Sequence, residues 1–179
     1  MINLAEVKPR HRKFALVTQA DLRYPNGMSE KLHFEDFSAG EEFDLGQKEV
    51  TKDEIIEFAQ EFDPQPFHLD EKAAQASMLG GLAASGWHTA SMTMALLAKN
   101  LLNNSTCQGS PGIEDLGWKA PVYPGDILKA TAKVTQAREL KSKPDLGLVS
   151  LKIKVTKQDG ALVMIQENPI LFKKRGAVS

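Results

Sequence analysis

The sequence predicts an α+β domain in which one antiparallel sheet wraps around a central, buried α-helix. Three observations carry that prediction. A long apolar segment, "SGWHTASMTMALLAKNLL", lies mid-chain. Almost everything after it alternates apolar and polar in the manner of half-buried strands. No strand–helix–strand alternation occurs that would call for a parallel sheet. With 179 residues the chain has room for one domain with a real core and hardly for two.

Taken in order, residues 1–31 show weak periodicity, a basic knot (Arg10, His11, Arg12, Lys13) and a Pro25-Asn26-Gly27 turn signal. They are expected to form an extension, a solvated arm rather than a phosphate site, ahead of a main domain at residues 32–175. Met28 opens a natural domain start and is a candidate alternative initiation site. Phe43 to Val50 alternates loosely and reads as a strand. Thr51-Lys52-Asp53-Glu54 has the form of a capping box, a threonine cap followed three residues later by glutamate. Ile55, Ile56, Phe58, Ala59 and Phe62 then recur at helical spacing. Pro64 and Pro66 end that helix and predict a stiff, turned loop. Asp70 is placed to cap a second short helix carrying Ala73, Ala74 and Met78, before a break at Gly80-Gly81.

From Gly86 to about Leu102 the chain is apolar nearly all round, which predicts a helix buried on most sides. Met92 and Met94 are read as core filler. A strand is expected over Gly112 to Val122, closed by the turn Tyr123-Pro124-Gly125-Asp126. Leu128, Ala130, Ala132 and Val134 alternate with Lys129, Thr131, Lys133 and Thr135. Val149, Leu151, Ile153 and Val155 alternate with Ser150, Lys152, Lys154 and Thr156. Gln158-Asp159-Gly160 is a hairpin signal, and "ALVMIQENPILF" is apolar on both faces, as an internal strand should be.

The bulk chemistry excludes several function classes. Hydrophobic residues make up 42% and charged residues 25%, ordinary for a folded soluble chain. A formal charge of −1 gives no positive field for nucleic acid or anionic lipid. The single cysteine, Cys107, allows no intramolecular disulfide and fits a reducing cytoplasm. No apolar run approaches the ~18 residues of a membrane span, and the apolar stretch after the basic knot is too short for a signal peptide. No P-loop, dinucleotide-binding glycine fingerprint or metal-ligand cluster occurs, and no internal repeat.

The stretch "EFDPQPFHLD" is the first candidate for chemistry, because it sets Asp63 and His68 five positions apart around two prolines. In a helix the two side chains would diverge, and in an extended strand they would face opposite sides. Only a turned segment lets both converge on one pocket. On spacing alone the alternative stands: Asp63 ends a helix and His68 bonds locally.

Further motifs tip that balance. Phe58-Ala59, then Asp63-Pro64-Gln65-Pro66-Phe67-His68-Leu69-Asp70, then Gly80-Gly81-Leu82-Ala83-Ala84-Ser85-Gly86-Trp87, and later "GSPGIEDLGWKAPVYPGDIL", follow one another in this order. This series resembles the MaoC-like hot-dog dehydratases and (R)-specific enoyl-CoA hydratases from about Phe34 to Phe172. The resemblance implies a hot-dog fold and reversible hydration of a trans-2-enoyl thioester to the (R)-3-hydroxyacyl thioester. It implies that Asp63 is the base toward water and that His68 orients that water and handles the proton at Cα. It assigns the backbone N–H of Gly86, at a helix start, to the developing enolate. Gln65, Ser85 and Ser91 are supporting positions, Ser91 with the equal alternative of a hydroxyl bonded back to its own helix.

Two positions depart from the family pattern: Gln65 replaces an asparagine, and Ala84-Ser85-Gly86 replaces Ala-His-Gly, with a histidine instead at His88. His88 is read as a partly buried helix residue rather than a second base. The basic stretch Arg138 to Lys143 is a solvated loop or, alternatively, a contact for coenzyme A phosphates. The implied reaction needs no cofactor or metal, its acyl-CoA or acyl-carrier-protein thioester being the substrate. A homodimer in the cytoplasm is expected, with no nucleic acid or membrane partner. Hot-dog thioester hydrolysis and a non-catalytic acyl-thioester-binding subunit are the competing readings.

Overall fold

A computed structural model describes residues 30–176. The basic knot, the Pro25-Asn26-Gly27 turn and Met28 lie outside the described residues. Among the described residues four α-helices and five β-strands follow in the order β1 (Glu42–Glu49), α1 (Lys52–Phe62), α2 (Pro66–Leu69), α3 (Glu71–Gln75), α4 (Gly86–Asn100), β2 (Asp115–Trp118), β3 (Ile127–Glu139), β4 (Leu146–Thr156) and β5 (Leu162–Lys173). The strands form one sheet in the order β1-β3-β4-β5-β2, antiparallel at every pairing. α4 packs on its inner face, giving the expected α+β hot-dog architecture.

The alternating segments place their residues as predicted. Leu128, Ala130, Ala132 and Val134 of β3, and Val149, Leu151, Ile153 and Val155 of β4, are fully buried. They are in register, Ala130 opposite Val155 and Ala132 opposite Ile153. β5, paired on both sides, adds Met164, Ile170 and Phe172 to the same core. Burial of side chains of this size contributes roughly 1.5–3 kcal/mol each. A Gly160 turn at φ +87° closes the β4–β5 hairpin, with the Gly160 N–H donating to the Lys157 carbonyl at 3.0 Å.

Three sequence expectations need correction, besides Met78, which lies beyond the end of α3 at Gln75. The strand drawn over Gly112 to Val122 is only Asp115–Trp118. Past Trp118, the N–H groups of Lys119 and Ala120 both donate to the Val163 carbonyl (2.7 and 3.4 Å), which breaks the ladder. Pro121 then offers no N–H to resume it. The second correction concerns α4, which buries one face rather than most of its circumference. His88, Thr89, Met92, Thr93 and Leu97 are buried, whereas Trp87, Ser91, Met94 and Ala95 are exposed. Met92 is core filler; Met94, 45% exposed, is not. Finally, the segment after Pro64 is not all loop. Pro66 begins α2 at its first position, where a missing N–H costs nothing because that group is unpaired in any helix.

Candidate active site

Local rules of helix ends assemble the site. α1 starts on the predicted capping box: the Thr51 hydroxyl accepts from the Glu54 N–H (3.3 Å) and Glu54 accepts from the Thr51 N–H (2.9 Å). It ends at Asp63, whose N–H still bonds the Ala59 carbonyl while φ −151° turns the chain out of the helix. Asp63 therefore projects from a helix terminus. Five residues on, the single turn of α2 carries His68, and α3 begins on an Asp70 cap that accepts from the Ala73 N–H at 2.9 Å. Ser85 caps α4, its hydroxyl accepting from the Trp87 N–H at 3.2 Å.

These ends converge. The Ser85 hydroxyl donates to Asp63 Oδ2 at 2.6 Å, and the Gln65 amide donates to Asp63 Oδ1 at 2.8 Å. His68 Nε2 stands 3.6 Å from Asp63 Oδ2. His68 Nδ1 lies 2.7 Å from the Ala83 carbonyl oxygen, an atom that only accepts, so Nδ1 carries a proton and Nε2 alone is left to act on the site. The imidazole is buried. The Ser85 hydrogen bond holds the Asp63 carboxyl below the ordinary carboxylate value; burial opposes this, while Gln65 and the nearby His68 reinforce it. Asp63 is thus an ionised carboxylate with one oxygen shared between Ser85 and the direction of His68.

A cleft of about 570 Å³ opens beside the pair. Phe67, His68, Ser77, Met78, Leu79, Ala84, Gly86 and Thr89 form one side and the run Trp118–Val122 the other. It is mostly apolar. Asp63 is not in its lining and meets it by way of His68. Gly86 is, and its N–H has no acceptor among the described residues, as expected at the first residue of a helix. A free N–H at the positive end of a 15-residue helix suits a developing negative charge.

The other predicted positions divide. Gln65, unexplained by the sequence, spends its side chain on Asp63; the caps of its own helix show no side-chain bond from it. Ser91 does not join the site. It is exposed and donates back to the Trp87 carbonyl at 2.8 Å, the bland alternative for that residue. His88 is buried, stacked on Phe58 (centroids 4.6 Å apart, 11° between planes), with Nδ1 unpartnered. Arg138 to Lys143 sits at the exposed β3–β4 turn and contributes nothing to the cleft.

Sequence reasoning missed the Ala83 carbonyl, because a main-chain acceptor leaves no residue signature. It also missed Phe67, Met78 and Trp118 as cleft walls. The Tyr123 hydroxyl, which donates to the Leu79 carbonyl at 2.6 Å and fixes the α3–α4 connection, had no pattern to mark it either.

Comparison with known proteins identifies the family and the fold. Residues 36–156 match the family model described as "MaoC like domain". The solved MaoC-like dehydratase from Rhodospirillum rubrum is 41% identical, with 80% of this chain and 98% of that one covered at a TM-score of 0.76. The (R)-hydratase from A. caviae involved in PHA biosynthesis is 27% identical, covering 75% and 96% at a TM-score of 0.62. Among curated sequences, the uncharacterized protein YdeM of Bacillus subtilis (strain 168) is 27% identical over 143 residues, 80% of this chain and 100% of that one.

Proposed function

The chain belongs to the MaoC-like domain family, and from that premise we propose that it is a hydratase/dehydratase interconverting trans-2-enoyl and (R)-3-hydroxyacyl thioesters of coenzyme A. The observation that carries this is the 3.6 Å separation of Asp63 Oδ2 and His68 Nε2. It is too long for a direct hydrogen bond, and a water about 2.8 Å from each fits across it. Asp63 takes one proton from that water as its oxygen bonds to Cβ. The π electrons move onto the thioester, whose oxygen accepts from the Gly86 N–H. His68, entering the cycle as an imidazolium with a proton on each nitrogen, delivers the Nε2 proton to Cα, and the proton on Asp63 then passes to the bared Nε2, so the pair ends as it began. Dehydration runs the same steps in reverse. General acid–base steps of this kind contribute about 10²–10⁴ in rate, and one positioned oxyanion donor about 10²–10³.

The reaction so written uses no cofactor or metal. Coenzyme A thioesters are the substrates of first choice, with carrier-protein thioesters next. Exposed Trp87, Met94, Ile113 and Leu162, together with the four-residue edge strand β2, support a homodimer. Among the described residues no helix is long and apolar enough to cross a membrane, and the proposed setting is the cytoplasm. Purified protein should remove the conjugated-enoyl absorbance of crotonyl-CoA and yield the (R) product. Inactivity across short, medium, branched and carboxylated enoyl-CoAs, or release of free thiol instead, would overturn the proposal.

A further inference from the structure

We propose that Trp118 determines substrate specificity: its indole walls the carbonyl subsite and restricts the protein to enoyl thioesters with only hydrogen at Cα. This rests on the hydratase reading above. A Cβ placed on Gly86 would lie 2.6 Å from Trp118 Cε2, 2.9 Å from Cδ2 and 3.0 Å from Cζ2. The fused edge of the indole therefore occupies the space where any other residue at position 86 would carry its side chain.

The ring is held there from two directions. Trp87 packs edge-on against it, with centroids 5.5 Å apart and planes at 80°. Its backbone lies opposite the fully buried Met164 in the β2–β5 register, and the next two N–H groups are both tied to Val163. Withdrawal would break the end of the ladder.

The consequence is steric. A thioester oxygen bonded to the Gly86 N–H sits about 2.9 Å from that nitrogen, and the nitrogen is about 1.5 Å from the Cα that the indole covers. The indole is thus within contact range of the bound carbonyl group. A conjugated enoyl thioester is flat, and a substituent at Cα projects one bond from the carbonyl carbon, into the ring. A Cβ substituent starts one bond further away. Trp118 remains 44% exposed within a cleft wall, which leaves aromatic surface for the flat substrate to lie against.

The test compares kcat/KM for crotonyl-CoA and its 2-methyl homologue, tiglyl-CoA, in wild type, Trp118→Phe and Trp118→Ala. Intrinsic reactivity cancels when the ratio of the two substrates is compared between variants. Wild type should favour crotonyl-CoA strongly, and Trp118→Ala should narrow that preference by about tenfold, the scale on which a pocket discriminates one methyl group. The change should appear mainly in KM for tiglyl-CoA, with Trp118→Phe between. Should Trp118→Ala fail to fold, Trp118→Phe carries the test alone with the same direction. An unchanged ratio, or an equal loss for both substrates, overturns the role of Trp118 and leaves the hydratase reading standing. A wild type inactive on both overturns that reading and this inference together.

Discussion

The Ser85 hydroxyl donates to Asp63 Oδ2 at 2.6 Å while also capping α4 through the Trp87 N–H. One side chain thereby couples the start of the central helix, which presents the Gly86 N–H, to the carboxylate that ends α1. Its hydrogen bond is also the largest influence lowering the Asp63 pKa. A depressed carboxylate stays ionised to lower pH than usual, so the acid limb of the kcat/KM profile should fall below the ordinary value of 3.8. Ser85→Ala should move that limb upward and reduce kcat by about tenfold, the scale of a lost hydrogen bond to a charged group. A profile unmoved by the substitution would show that Ser85 does not tune the base.

Gln65 should matter through Asp63 and not through the cap of α2. Gln65→Met, which keeps length and removes the donor, should lower kcat by up to about tenfold with little change in Tm. Gln65→Asn should fall between the two if the shorter amide reaches Oδ1. A Tm loss matching the activity loss would instead make Gln65 a folding residue.

Gly86→Ala keeps the backbone N–H but drives a Cβ to 2.6 Å from the Trp118 indole. Overpacking of this kind typically costs about 1–3 kcal/mol. Activity should drop by one to two orders of magnitude as the helix start shifts, since one displaced oxyanion donor is worth about 10²–10³. Combining it with Trp118→Ala should give less than the sum of the two stability losses, measured by urea unfolding, because the crowding is gone. Strict additivity would contradict the contact.

His88 predicts a pH effect on stability. Burial lowers its pKa from 6.5, Lys48 adds to this and Glu54 opposes it. The unfolded chain therefore binds a proton more readily than the folded one. Stability is full above about pH 6.5 and falls as pH drops from there toward the folded value. His88→Phe, which preserves the stack on Phe58, should flatten urea midpoints across that window, and an equally steep decline in the variant would place the effect elsewhere.

Most of the architecture was legible because the sheet is half-buried: Leu128 to Val134 and Val149 to Val155 write their inward faces directly into the alternation. α4 was misread at Met94 because an apolar side chain exposed at the surface looks the same in sequence as one buried in the core. β2 was overdrawn because the double attachment to Val163 is a main-chain event. In the site, Asp63 and His68 stood out by residue type, and Gly86 and Ser85 by position at a helix start. Gln65 has no explanation in the sequence alone, since its role depends on how sharply the chain turns between Asp63 and Pro66. Trp118 was hidden for a related reason: it reaches Gly86 only through the pairing of β2 with β5.

The central claim, that Asp63 and His68 share one water in front of an enoyl thioester, is tested most directly by kcat for crotonyl-CoA hydration in Asp63→Asn. Asparagine preserves shape and can still meet Ser85, but it cannot accept the proton. With unfolding midpoints near those of wild type, kcat should fall by about 10²–10⁴. Wild-type kcat in Asp63→Asn would contradict the account.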